Sequence, residues 1–202
     1  MSEEAFLPYR APRASLGVAS QVRSTLITTS QQALRTRGLY DRYLKLLSGV
    51  GREAAASVAG QWLPMAVALA HYRACDGLGF SAAEQIEMGT EVGARVHGTF
   101  LGMMVRSAKT AGVTPWSALG YTQKLYDRLF QGGGDMSVLK LGPKDARAEV
   151  VGVPLVRVPY FRNGFRGLYQ AGVGLFCEKV YTYDTSPASS SDDTFAVRIS
   201  WV

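Results

Sequence analysis

The chain has 202 residues, 47% of them hydrophobic, and 22 basic against 16 acidic side chains give it a net charge of +6. That length suits one domain with a core of its own, needing no disulfide or metal to hold it. The basic residues are scattered and never run three together, so the excess reads as a solvated surface, and nucleic acid is not the expected partner.

Cys75 and Cys177 lie far apart with no CxxC or Cys/His cluster, which argues against structural zinc and for reduced thiols in a cytoplasmic protein. The N-terminus has no apolar stretch of signal-peptide length. Residues 62–70 are too few to cross a bilayer, so no transmembrane segment is expected.

Residues 1–14 read as a flexible N-terminal arm, ordered only by docking on a partner through Phe6, Leu7 and Tyr9. Residues 16–22 read as an edge strand or the approach to a helix. Ser24 is placed to cap a helix that ends at Gly38, and a second helical run covers 39–47. An Ala-rich helix is predicted over 52–59. Trp62-Leu63-Pro64 breaks the pattern, with Pro64 in the first turn of an apolar, core-facing helix over 65–75.

Ser81 and Glu84 form a capping box for a helix over 82–96 that continues over 97–111 across a bend near Gly98. Thr114 and Pro115 open the last helix before the Gly132-Gly133-Gly134 break. The remainder reads strand, strand, helix, strand, strand: 136–141 and 146–151 as a hairpin, a helix over 159–176, then 177–183 and 195–201 around a polar loop at 185–193. In that helix Gly164, Gly167, Ala171 and Gly174 share one face. Glycine is costly inside a helix, about 1 kcal/mol each, so close approach of another backbone or a ligand is expected there. The fold class is α+β: a helical half (15–131) packed on a small antiparallel sheet, with a C-terminal ββαββ half (135–202) in a single domain spanning 15–202.

Few residues offer chemistry. His71 and Cys75 stand one helical turn apart, a spacing that could activate a thiol, although a satisfied core histidine explains it as well. His97 has no carboxylate three or four residues away. Gly132-Gly133-Gly134 lacks the lysine and helix of a phosphate loop, and no hydrolase, zincin or kinase motif is present. Glu84, Glu87 and Glu91 share a polar helix face.

Trp62-Leu63-Pro64, the run Ala118–Phe130, the triple-glycine turn into a hairpin, the glycine-spaced helix Asn163–Gly174 and the closing Phe195–Trp201 together are similar to a paralogous family found mainly in myxobacteria. That family resembles the haem-NO-binding, 4-vinyl-reductase and TRAPP type of fold, over roughly residues 16–202. The resemblance implies a cavity between the halves. It also implies haem, held by an axial histidine on the helix before the sheet and by a Tyr-x-Ser-x-Arg motif on the first strands. Here 115–130 contains no histidine and 136–151 no such motif, which leaves Tyr121 and Tyr126 as substitute ligands beside His71, Cys75 and His97. TRAPP-type relatives further suggest an acyl chain on Cys75.

The sequence therefore predicts a non-catalytic binding or regulatory module without a cofactor. It would act through protein contact or a small apolar ligand, with homodimerisation through the Gly164–Gly174 face. The alternative is a haem- or thiol-based sensor.

Overall fold

The computed structural model describes residues 4–47, 49–108, 114–186 and 193–202, with side chains throughout except over 96–108. The helical half contains α1 (Ser24–Thr36), α2 (Tyr40–Leu46), α3 (Arg52–Ala56), α4 (Met65–Asp76), α5 (Ala82–Ala108), α6 (Pro115–Leu119) and α7 (Thr122–Leu129). Short strands β2 (Gln21–Arg23), β3 (Trp62–Pro64) and β4 (Phe130–Gln131) stitch it together in the order β3-β2-β4. The second half holds β5 (Asp135–Gly142), β6 (Asp145–Val151), α8 (Pro159–Val173), β7 (Val180–Asp184) and β8 (Thr194–Trp201), so the ββαββ order and the α+β class stand as expected.

Local signals place several ends. Ser81 and Glu84 cap each other, the Ser81 amide donating to the glutamate at 2.8 Å, and Thr114 with Ser117 closes a second capping box ahead of Pro115. Ser24, however, is the first helical residue of α1 and caps nothing there. Its hydroxyl donates to the Val58 carbonyl at 2.6 Å and accepts from the Gln61 amide, tying α1 to the loop before β3. The Trp62-Leu63-Pro64 break is itself a strand, paired with β2, and Pro64 is the residue preceding α4. Residues 82–108 form one helix.

The main sheet has five strands in the order β1-β5-β6-β8-β7, all pairs antiparallel. Its first strand, β1 (Glu4–Leu7), belongs to the N-terminal arm, which docks on the chain's own sheet and so needs no partner to be held. Phe6 lies 5.0 Å from Trp116, ring to ring. Arg10 clasps Asp135 with its main-chain amide and guanidinium (2.7–3.0 Å), and Arg13 pairs with Glu149 at 2.6 Å. Tyr9 settles beside Ser137 and Glu149, and burial raises its pKa. Residues 9–13 thus cover the face of the sheet that carries Asp135, Ser137 and Glu149.

The opposite face is apolar. Strand alternation puts Met136, Val150 and Phe195 in one cross-strand row and Val138, Ala148 and Val197 in the next. These rows meet α8, where Phe165 approaches Phe195 at 6.3 Å. One continuous core joins the two halves through Phe161, Phe165, Leu168 and Tyr169 of α8.

The small face of α8 is spent inside the molecule. It crosses α5, and a Cβ on Gly167 would fall 2.1 Å from the Ile86 carbonyl oxygen, while one on Gly93 would fall 2.8 Å from the Ala171 Cβ. Gly164 faces Gly89 at the same crossing, and Gly174, just past the helix, lies near Val180 of β7. The expected dimer face is therefore an internal helix–helix contact at Gly164, Gly167 and Ala171. The glycine propensity cost is met by the backbone approach it permits.

Candidate functional site

Two small clefts flank Phe165 and Leu168. The first, of about 40 Å³, lies between α6–α7 and α8, walled by Leu119, Leu125, Met136, Phe165 and Val173, with Ala118 and Gly172 adding small surfaces. Tyr121, Thr122 and Tyr169 are the hydroxyl-bearing residues of its lining. The second, of about 30 Å³, opens toward α1, α4 and α5 beside Tyr72, Met88 and Tyr160. Both are far below the 300–1,000 Å³ or so of a pocket for a drug-sized ligand.

The polar features of the first cleft differ in how they are held. The Thr122 hydroxyl donates to the Leu119 carbonyl at 2.5 Å, closing the α6–α7 corner. Tyr121 lies under Lys124, whose ammonium is 5.2 Å from the ring centre. The Tyr169 hydroxyl is buried and has no hydrogen-bond partner among the described residues. Burial raises its pKa, so it stays protonated and able to donate. A buried hydroxyl without a partner costs about 1–3 kcal/mol, which a ligand bearing an acceptor would recover.

Tyr126 is committed elsewhere. Its hydroxyl donates to the Gly133 carbonyl at 2.8 Å and its ring packs 5.1 Å from Phe130, so it is part of the turn into β5 and not a spare ligand for iron.

His71 and Cys75 are brought together, as their spacing on α4 predicts, but in closed core. Gln31 donates to the Tyr43 hydroxyl at 3.3 Å, and that hydroxyl lies 2.7 Å from His71 Nδ1. Cys75 Sγ is 3.7 Å from Nε2. All four residues are buried. Burial lowers the His71 pKa to about 3 and raises that of Cys75, so at neutral pH both are uncharged. A reactive thiol needs thiolate and access; Cys75 has neither, and the pair reads as a satisfied polar network. The same closure argues against an acyl chain on Cys75. The His97 side chain lies outside the described ones. Glu87 and Glu91, read as merely solvated, both pair with Arg37 and link α5 to α1. Residues 187–192 of the polar loop also lie outside the described residues.

The cleft-lining residues were visible in the sequence only as apolar helix faces. The one signal that sets them apart is that α8 is small on one side and aromatic on the other, so it must serve two neighbours at once.

Among the described residues no group of three His, Cys, Asp or Glu side chains is placed to hold a metal ion, and no helix is long and apolar enough to cross a membrane.

No protein-family model matches the sequence, nor does any curated protein. Solved structures do match in fold. An oxygen-binding H-NOX domain related to soluble guanylate cyclases, in its oxygen complex, shares 17% identity and superposes with a TM-score of 0.56 over 89% of this chain and 94% of that one. A mutant H-NOX of T. tengcongensis matches with 16% identity, TM-score 0.58 and 89% and 97% coverage. A structure from work on haem redox potential and protein-induced porphyrin distortion matches with 16% identity, TM-score 0.58 and 89% and 99% coverage. The chain thus has an H-NOX-like fold over nearly its whole length.

The residues present do not fit a haem. The cleft between the halves holds about 40 Å³, its described lining carries no histidine, and no arginine or lysine lines it to meet propionates. Helix α7, just before the sheet, has no histidine at any position.

Proposed function

We propose that the chain is a non-catalytic sensor domain that uses an H-NOX-like fold to hold a small, weakly polar ligand in the cleft between α6–α7 and α8. The fold likeness turns the reading from a module acting through protein contact alone toward the sensor alternative. The observation that carries the ligand class is Tyr169 in the lining of a mostly apolar cleft, its hydroxyl buried, protonated and without a hydrogen-bond partner among the described residues.

Size limits the ligand to a few heavy atoms with one hydrogen-bond acceptor. Binding energy is bounded near 1.5 kcal/mol per heavy atom, so a four-atom ligand gains about 6 kcal/mol at most and binds no tighter than tens of micromolar. The test is an NMR titration with acetone, following the methyl groups of Leu119, Leu125 and Leu168. Saturable shifts confined to these methyls, weakened about 5–10-fold by Tyr169→Phe, are expected. Shifts spread over the surface, or indifferent to Tyr169→Phe, would remove the reading.

A haem-bearing sensor is the second reading, favoured by the H-NOX neighbours and by Tyr121 in the cleft wall, since a tyrosine can serve as an axial haem ligand. It requires α6–α7 to part from α8 well beyond the present cleft. An absorbance spectrum of the purified protein separates the two.

A further inference from the structure

A groove on the far side of the helical half is larger than either cleft. It holds about 490 Å³ and runs along α4 over Ala66, Ala70 and Ala74, with Leu46 and Val50 as one wall and Leu69 and Arg73 as the other. Leu46 and Val50 are 42% and 52% exposed, a high value for large aliphatic side chains. The alanines make the floor shallow and let a second backbone come close.

The surrounding charge is predominantly basic. Elsewhere most of the described arginines are engaged, Arg95 of α5 being an exception: Arg10, Arg13, Arg37, Arg147, Arg157, Arg162 and Arg198 in ion pairs, Arg23 and Arg35 over aromatic rings. Around this groove Arg42, Lys45, Arg52 and Arg73 are exposed and, among the described residues, take part in no ion pair, side-chain hydrogen bond or ring contact. Arg73 lines the groove itself, Arg52 follows the Gly49–Gly51 turn at its edge, and Arg42 and Lys45 share α2 with Leu46. The carboxylates near them are Asp41 and Glu53, while Asp76 is engaged by the Tyr160 amide at the start of α8.

The geometry points to this groove as a docking site for an amphipathic helix of a partner protein, with an apolar stripe for the trough and acidic residues on its flanks. A concave floor with unpaired cations on the rim suits a helix laid into it better than a flat membrane surface. Ionic complementarity of this kind speeds association and sets orientation, while the apolar stripe supplies most of the affinity.

The test uses the full chain and a fluorescent 14-residue peptide with leucine at helical spacing and glutamate on both flanks. Micromolar binding by anisotropy is expected, with little binding of the same peptide carrying lysine for glutamate. Arg52→Glu with Arg73→Glu should lower the affinity at least tenfold, Ala66→Arg should block the trough, and Arg95→Glu, on α5, should change nothing. Circular dichroism on the variants separates lost binding from lost fold. Equal binding of the acidic and basic peptides, binding of phosphatidylserine vesicles alone, or self-association that occupies the groove would overturn the proposal.

Discussion

Gly89 of α5 and Gly164 of α8 meet backbone to backbone, so closely that a Cβ on Gly89 would lie 2.0 Å from the Gly164 carbonyl oxygen. The relation is not symmetric. A Cβ on Gly164 would meet nothing nearer than the Gly89 Cα at 4.0 Å. The crossing holds α8 against the helical half, and both glycines line the second cleft.

Alanine at these two positions should therefore act in opposite directions. Gly89→Ala pushes a methyl into backbone that cannot yield, and a loss of about 1–3 kcal/mol or more is expected. Gly164→Ala meets ordinary contact and gains about 0.5–1 kcal/mol of helix propensity. Urea unfolding of both variants checks this: the midpoint falls for the first and holds or rises for the second. Equal losses would mean that the crossing is not as close as described.

Arg10→Ala should release the arm. Asp135 is 1% exposed on its side chain and takes three hydrogen bonds from Arg10; alanine keeps the main-chain one and loses the two from the guanidinium, which leaves a buried carboxylate without its cation. Arg10 is about half in water, which brings the cost to about 1–3 kcal/mol, below that of a wholly buried pair. Hydrogen exchange at the β1 amides should speed up more than exchange in α8. Unchanged protection in β1 would show that its pairing with β5 suffices without the arginine.

His71 should make stability fall early in acid. Its folded pKa, lowered by burial to about 3 against 6.5 for the free side chain, means that the unfolded chain takes up the proton first. The contribution is fully present above pH 6.5 and is lost as the pH falls toward 3, at about 1.4 kcal/mol per pH unit. Between pH 6.5 and 5 most carboxylates are still ionised, so the slope there belongs mainly to histidine. His71→Gln should be less stable at pH 8 and flatter across that window in urea titrations. A variant as steep as the parent would place the histidine charge elsewhere.

How far the sequence reaches can be seen residue by residue. Signals carried within one turn of chain were legible: Ser81 with Glu84, Thr114 with Pro115, and the hairpin around Pro143 and Lys144 all lie where local chemistry puts them. Pairings between distant segments were not. Val22 pairs with Leu63 on one side and with Phe130 on the other, in strands of two or three residues that are too short to show alternation. The arm is the same case, since nothing local in Glu4–Leu7 announces β5 as its partner, 131 or more residues on. The small face of α8 was legible as a demand for close approach, but the sequence could not say that α5 meets it and a second copy does not. The cleft was the least visible feature, because Leu125, Phe165 and Val173 look like any core residue until two helices are seen to leave space between them.

That the cleft between α6–α7 and α8 of this H-NOX-like fold takes a few-atom ligand and no haem is put to the test by hemin titration followed by absorbance. No saturable Soret band is expected, and no difference between the parent and Tyr121→Phe. A Soret band that saturates at one hemin per chain and shifts or vanishes in Tyr121→Phe would contradict it.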